Sequence, residues 1–219
     1  MTRRGRLQID EIIQLEDKSI HDLFTESFSE ITAILDGVKD NKFDSAINTA
    51  LTDYVIIHLV SVVETFCKNL ARKIIDEFNL PPKGIFEKDE IRISIFDLKE
   101  IKNNQKITVG RIVSREINFQ NPDEINDVFS KLFGFDFFEK ITQLSKDTSF
   151  SVSIEQNGEE YGFEWKDFHA LFRTRHDLIH EMVNVKPGYE KASLFFANVL
   201  LFLSYVLSIT TDKEKEMKK

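Results

Sequence analysis

From Asp44 to Phe78 the chain contains neither glycine nor proline, and its apolar residues recur every three or four positions. That spacing predicts one long amphipathic helix. Leu80-Pro81-Pro82 ends it, because proline brings no amide hydrogen and pushes the preceding residue out of helical geometry. Such a helix must bury its apolar stripe against other elements, and further helices of the right length are present. From Leu7 to about Val38 the residues Ile9, Ile12, Ile13, Ile20, Leu23, Phe24, Phe28, Ile31 and Leu35 keep helical spacing, with Gly37 as the predicted stop. Glu190 to about Thr211 reads as the last core helix, and the charged tail Asp212 to Lys219 is expected to fray. With 20 Phe against four Pro and eight Gly, an all-α bundle of four or five helices packed through aromatic rings is expected.

The middle of the chain, about 83 to 165, reads as a decorated insertion into that bundle, within one domain spanning 1–219. It holds a short helix between Lys88 and Asn103 and a segment, Thr108 to Ile117, ambiguous between strand and helix. Asn121-Pro122-Asp123-Glu124 opens a helix with a cap, a proline at the first position and acids in the first turn. That helix ends near Phe133-Gly134, and another covers Phe137 to Leu144. Alternation at Phe150, Val152, Ile154 and at Tyr161, Phe163, Trp165 around Asn157-Gly158 signals a β-hairpin near 149–165.

Cys67 is the only cysteine, which excludes an intrachain disulfide and a zinc ribbon and suits a reducing, cytoplasmic setting. Ser193 to Ile209 is strongly apolar but carries Asn198, Ser204, Tyr205 and Ser208. A core helix is the expected reading, not a membrane span. The formal net charge of −8 opposes broad, salt-driven nucleic-acid binding, so any such site must be a local basic groove. No phosphate loop, nucleophile elbow or dinucleotide fingerprint occurs.

The chemistry-bearing residues lie on a predicted helix from Lys166 to about Val183. With Phe168 at the centre of its apolar stripe, Leu171, Phe172, Leu178, Ile179, Met182 and Val183 fall within about 80°. Arg175 falls about 20° from that centre, and a guanidinium cannot escape burial by losing its proton. His169, His176 and His180 lie along one edge, and Arg173 and Asp177 further round towards water, where they are candidates for touching substrate. On the long second helix Glu64 and Asp53 fall inside the core stripe, so Glu64, with Asp53 second, is expected to pair with Arg175. His21 and His58 read as ordinary surface residues.

Arg175-His176-Asp177-Leu178-Ile179-His180 resembles the motif of the HEPN family, in which Arg is followed after four to six residues by His, often with a polar residue directly after the Arg; His176 stands in that place, where Asn is more usual. Leu59 to Phe66, with Glu64 within it, resembles the acidic-residue helix of HEPN proteins from prokaryotic defence systems. Asn118 to Pro122 and Leu132-Phe133-Gly134 are similar to the middle section of that subgroup. The resemblance implies a HEPN-like bundle and metal-independent RNA cleavage at a homodimer interface, without a cofactor. It assigns His180 as acid/base, Arg175 as phosphate stabiliser, His176 as an orienting group and Glu64 as the group that fixes Arg175.

Two other readings remain. His176 and His180, four apart, present two imidazoles to one metal ion, but Asp177 stands where a zinc protease has its Glu and no third ligand is evident. Alternatively, the chain is a non-catalytic HEPN module that binds a partner protein, such as an antitoxin or effector, or a nucleic acid.

Overall fold

The structure, a computed structural model, describes residues 20–77, 84–85, 95–103, 107–147, 152–153, 160–181 and 187–217. Its elements are α1 (Ile20–Lys39), α2 (Ser45–Glu77), α3 (Ile95–Asn103), α4 (Val109–Glu116), α5 (Pro122–Phe133) and α6 (Phe137–Asp147), then strands β1 (Val152–Ser153) and β2 (Glu160–Tyr161). Helix α7 (Trp165–His176) runs into a π-helical turn (Asp177–Glu181), and α8 (Gly188–Met217) closes the chain. The fold is all-α apart from the two-residue strands, which pair antiparallel with Val152 opposite Tyr161. Asn157 and Gly158, expected at the hairpin tip, lie outside the described residues, as do Leu7 to Ser19 of the first predicted helix.

Helix α2 is the axis of the molecule, about 50 Å long at the α-helical rise. Val55, Ile56, Leu59, Val63, Phe66, Cys67, Ala71 and Ile74 on it are fully or almost fully buried. Against this stripe pack α1 through Ile31 and Leu35, α7 through Phe168 and Leu171, and α8 through Phe195, Val199, Phe202 and Val206. Burying each large side chain contributes roughly 1.5–3 kcal/mol.

The ambiguous segment at Thr108 is helix α4, for a reason that lies 32 residues upstream in the chain. Asp76, in the last turn of α2, accepts the Thr108 hydroxyl and, at 2.7 Å, the Gly110 amide. Thr108 in turn accepts the Arg111 amide as N-cap. Gly110 sits so close that a Cβ there would lie 2.6 Å from the Arg72 carbonyl oxygen.

Helix α5 starts as expected, with Asn121 capping the Asp123 amide and Pro122 in the first turn, and ends on Gly134 at φ 80°. Asn126 Oδ1 accepts the Phe138 amide and Ser130 Oγ accepts the Phe137 amide, each at 2.9 Å. These bonds fold α6 back on α5, so that Phe129 and Phe137 meet 4.9 Å apart between ring centroids. Side chains of α4, α5 and α6 belong to the same continuous core as α2 and α8.

Three boundaries differ from expectation. Gly37 does not end α1, which continues to Lys39. Its hydrogen instead faces Phe43, whose Cε2 would sit 3.0 Å from a Cβ, and the left-handed residue is Asn41 at φ 51°. The tail is helical to Met217, held by Lys73–Glu214 across to α2 and by Lys213–Glu216 and Lys215–Asp212 within α8. The expected helix Lys166–Val183 is α-helical only to His176. Helices α2 and α8 are each long and apolar enough to cross a membrane, but 67% of the apolar window of α8 is packed inside the molecule.

Candidate active site

Helix α7 is seated by its first three turns. Phe168 is fully buried and stacks on Phe202 of α8 at 4.4 Å, while Leu171 and Phe172 pack beside it. Trp165 stacks on Phe138 at 3.9 Å and donates its indole N–H to Thr142, fixing the start of the helix on α6. His169 faces this aromatic group, edge-on to Phe138, and is therefore separate from the other two histidines. Thr174 is buried and returns its hydroxyl to the Ala170 carbonyl.

Beyond Thr174 the helix is less deeply buried, although Leu178 still packs against the core. Arg175 is half-buried, His176 and His180 are exposed, and Ile179, placed in the core stripe by the α-helical wheel, is 39% exposed. From Asp177 the backbone follows a π turn, which winds more slowly than an α-helix and is a frequent mark of functional sites. Five residues of α-helix would set Arg175 and His180 about 140° apart. Slower winding over Asp177 to His180 reduces this to under about 90°. The His176 and His180 rings lie 4.8 Å apart between centroids, tilted by 45°. Arg173 is exposed and Asp177 half-buried, its amide shared between the Arg173 and Thr174 carbonyls. Met182 and Val183 lie outside the described residues.

The expected pair between Glu64 and Arg175 does not form. Glu64 accepts Lys68 Nζ at 2.9 Å and Gln120 Nε2 at 3.4 Å. A lysine four residues on along the same helix is the nearest cation, and a Glu-to-Lys pair in that order is favourable. Among the described residues Asp53 does not pair with Arg175 either. Its Oδ1 is buried without a hydrogen-bond donor, and burial raises its pKa. The Glu64 charge, after burial itself, helps to push the Cys67 thiol well up.

Two features escaped the sequence. His58 is not an ordinary surface residue: it is half-buried and stacks on Tyr54 at 5.5 Å, with its Nε2 shut off from water. Tyr54 donates to Glu30 of α1, and that bond, then burial, then the Glu30 charge raise the tyrosine pKa. The second is a cleft at the α1–α2 turn, closed by Gly188 and Tyr189 of α8. No local pattern reveals it, because three separate elements supply its walls.

The arrangement offers a guanidinium and two imidazoles on one solvent-facing turn, at the end of a helix fixed in the core. Imidazole nitrogens can move protons, and a guanidinium can hold phosphate oxygens through paired donors. Among the described residues no group of three or more His, Cys, Asp or Glu is gathered to hold a metal ion. Searches of curated proteins and of solved structures found no match. A family model described as RiboL-PSP-HEPN matches residues 22–209, from α1 to the last turns of α8 and across the Arg175–His180 motif, and the chain belongs to that family.

Proposed function

We propose that the chain is a metal-independent endoribonuclease of HEPN type that acts as a homodimer. The observation that supports this most is the approach of the His176 and His180 rings to 4.8 Å where α7 passes into the π turn, with Arg175 next to His176 in the last turn of α7. In the proposed reaction the RNA 2′-oxygen attacks the adjacent phosphorus, and the bond from phosphorus to the leaving 5′-oxygen breaks. One His180 of the two-fold pair takes the 2′-hydroxyl proton and the other protonates the 5′-oxygen. Arg175 neutralises the charge that grows on the phosphate oxygens. His176 orients its neighbour, and Arg173 and Asp177 contact the substrate. Glu64 is not retained as the group that fixes Arg175, since its carboxylate is engaged by Lys68 and Gln120.

Purified protein is expected to cut RNA in EDTA and leave 2′,3′-cyclic phosphate ends, with His180→Ala slower by about 10²-fold or more. Equal activity of the two proteins rejects the assignment. We further propose a cytoplasmic role in a prokaryotic defence or toxin system, held in check by an antitoxin or effector partner.

One observation favours a second reading, a non-catalytic module for a partner protein or nucleic acid. The net charge is −8, and Lys68 and Lys73 of α2 are taken up by Glu64 and Glu214. Growth arrest on expression, relieved by His180→Ala, supports the nuclease, and indifferent growth supports the module.

A further inference from the structure

At the end of the bundle where α1, α2 and α8 meet lies a cleft of about 360 Å³, within the range that holds small ligands. Val38, Asn41, Phe43, Asn48, Asp53 and Tyr189 form most of its wall. Its polar side chains have mostly spent their donors on the backbone. The Thr49 and Thr52 hydroxyls donate to the carbonyls of Ser45 and Asn48, at 2.9 and 2.8 Å. The Asn48 amide donates to the Phe43 carbonyl at 3.2 Å, which settles which end of that side chain is oxygen.

What remains buried is a pair of acceptors, while the Asn41 and Ser45 side chains of the wall are exposed. Asn48 Oδ1 and Asp53 Oδ1 are both buried with no hydrogen-bond donor. Leaving such atoms unpaired is costly, most of all for a carboxylate, so a ligand bringing N–H groups is favoured there. Asp53 lines the cleft with Oδ1 closed off from solvent, so a turn about its Cβ–Cγ bond is required before both oxygens face a ligand. Apolar surface comes from Val38, Phe43 and Tyr189, with Phe43 itself 43% exposed, which suits a flat, uncharged ring system.

We propose that this cleft binds an unpaired guanine of the RNA, with the base's N1–H and exocyclic amino group donating side by side to the Asp53 carboxylate. Guanine is the one common base that offers two adjacent donors on its pairing edge, and single-stranded bases are commonly read on that edge beside aromatic rings. Chain length bounds how far the site can lie from the proposed chemistry. From Glu181, the end of the π turn, to Gly188 there are seven residue steps, so the two points are within about 25 Å. A strand of a few nucleotides spans that distance. The proposal rests on the RNA reading given above and adds a base preference to it.

The test uses full-length His180→Ala protein, so that binding is measured without cleavage. Fluorescence anisotropy follows end-labelled hexauridylate and the same oligomer with one central guanosine, at fixed salt. The guanosine oligomer is expected to bind about tenfold tighter, and inosine, which lacks the exocyclic amine, is expected to lose most of that gain. Asp53→Asn removes the difference in affinity between the two oligomers, and circular dichroism checks that the variant is folded. Phe43→Ala, at an exposed position, gives a second variant expected to weaken guanosine binding selectively. Equal binding of the two oligomers, or a preference that survives Asp53→Asn, overturns the inference. So does competition by arginine amide but not by guanosine monophosphate, which assigns the cleft to a cationic peptide. Guanine preference without any cleavage by the wild type leaves this proposal standing and removes the nuclease.

Discussion

Gly110→Ala puts two opposing effects in direct competition. Helix propensity alone favours alanine by about 1 kcal/mol in a helix such as α4. The structure predicts the opposite sign. A Cβ at Gly110 meets the Arg72 carbonyl oxygen at 2.6 Å and the Asp76 carboxylate at 2.7 Å. Carbon and oxygen in ordinary contact stay about 3.3 Å or more apart, so α4 must retreat from α2 by roughly 0.7 Å. That stretches the 2.7 Å bond from the Gly110 amide to Asp76 to the edge of hydrogen-bond range. Overpacking costs about 1–3 kcal/mol and weakening a bond to a charged acceptor about 1.5–3 kcal/mol. After the propensity gain the expected loss is about 1.5–5 kcal/mol, or roughly 3–20 °C in Tm for a domain of this size. Thermal unfolding followed by circular dichroism measures it, and coupling with Asp76→Ala checks that the two residues act together. A variant as stable as the wild type, or more stable, refutes the close docking of α4 on Asp76.

Two further outcomes concern buried groups. Burial raises the Asp53 pKa, so the native state holds that proton to higher pH than the unfolded chain does. No penalty exists below the ordinary aspartate value of 3.8, and stability is lost as pH rises from there through the raised value. Asp53→Asn is therefore expected to gain Tm relative to wild type as pH climbs to neutrality. A difference that instead shrinks with rising pH contradicts this. Cys67 is fully buried with its thiol pKa pushed up, so it is expected to resist maleimide until the protein unfolds. Rapid labelling of the native protein would place it elsewhere.

What the sequence made legible was whatever is local and periodic. The bounds of α2, the Asn121-Pro122 start of α5 and its Gly134 stop each follow from a few neighbouring residues, and the structure has them. Segment 108–117 was ambiguous because its helix depends on Asp76, which local pattern does not connect to it. Glu64 was rightly placed near the core, but a helical wheel gives direction without distance, and Lys68 was the closer partner. Arg175 and His180 were identifiable by type and spacing. Their mutual orientation was not, because the wheel assumes one constant pitch and nothing local marks the change to π winding.

A π turn is equivalent to an α-helix that has absorbed one extra residue without disturbing what lies on either side. The motif turn is thus a built-in allowance for length. Removing one residue between Asp177 and Ile179 lets the turn relax to α-helical pitch while Phe168, Leu171 and Phe172 stay in register with the core. The same deletion between Phe168 and Phe172 rotates every later side chain by about 100° and has no such reserve.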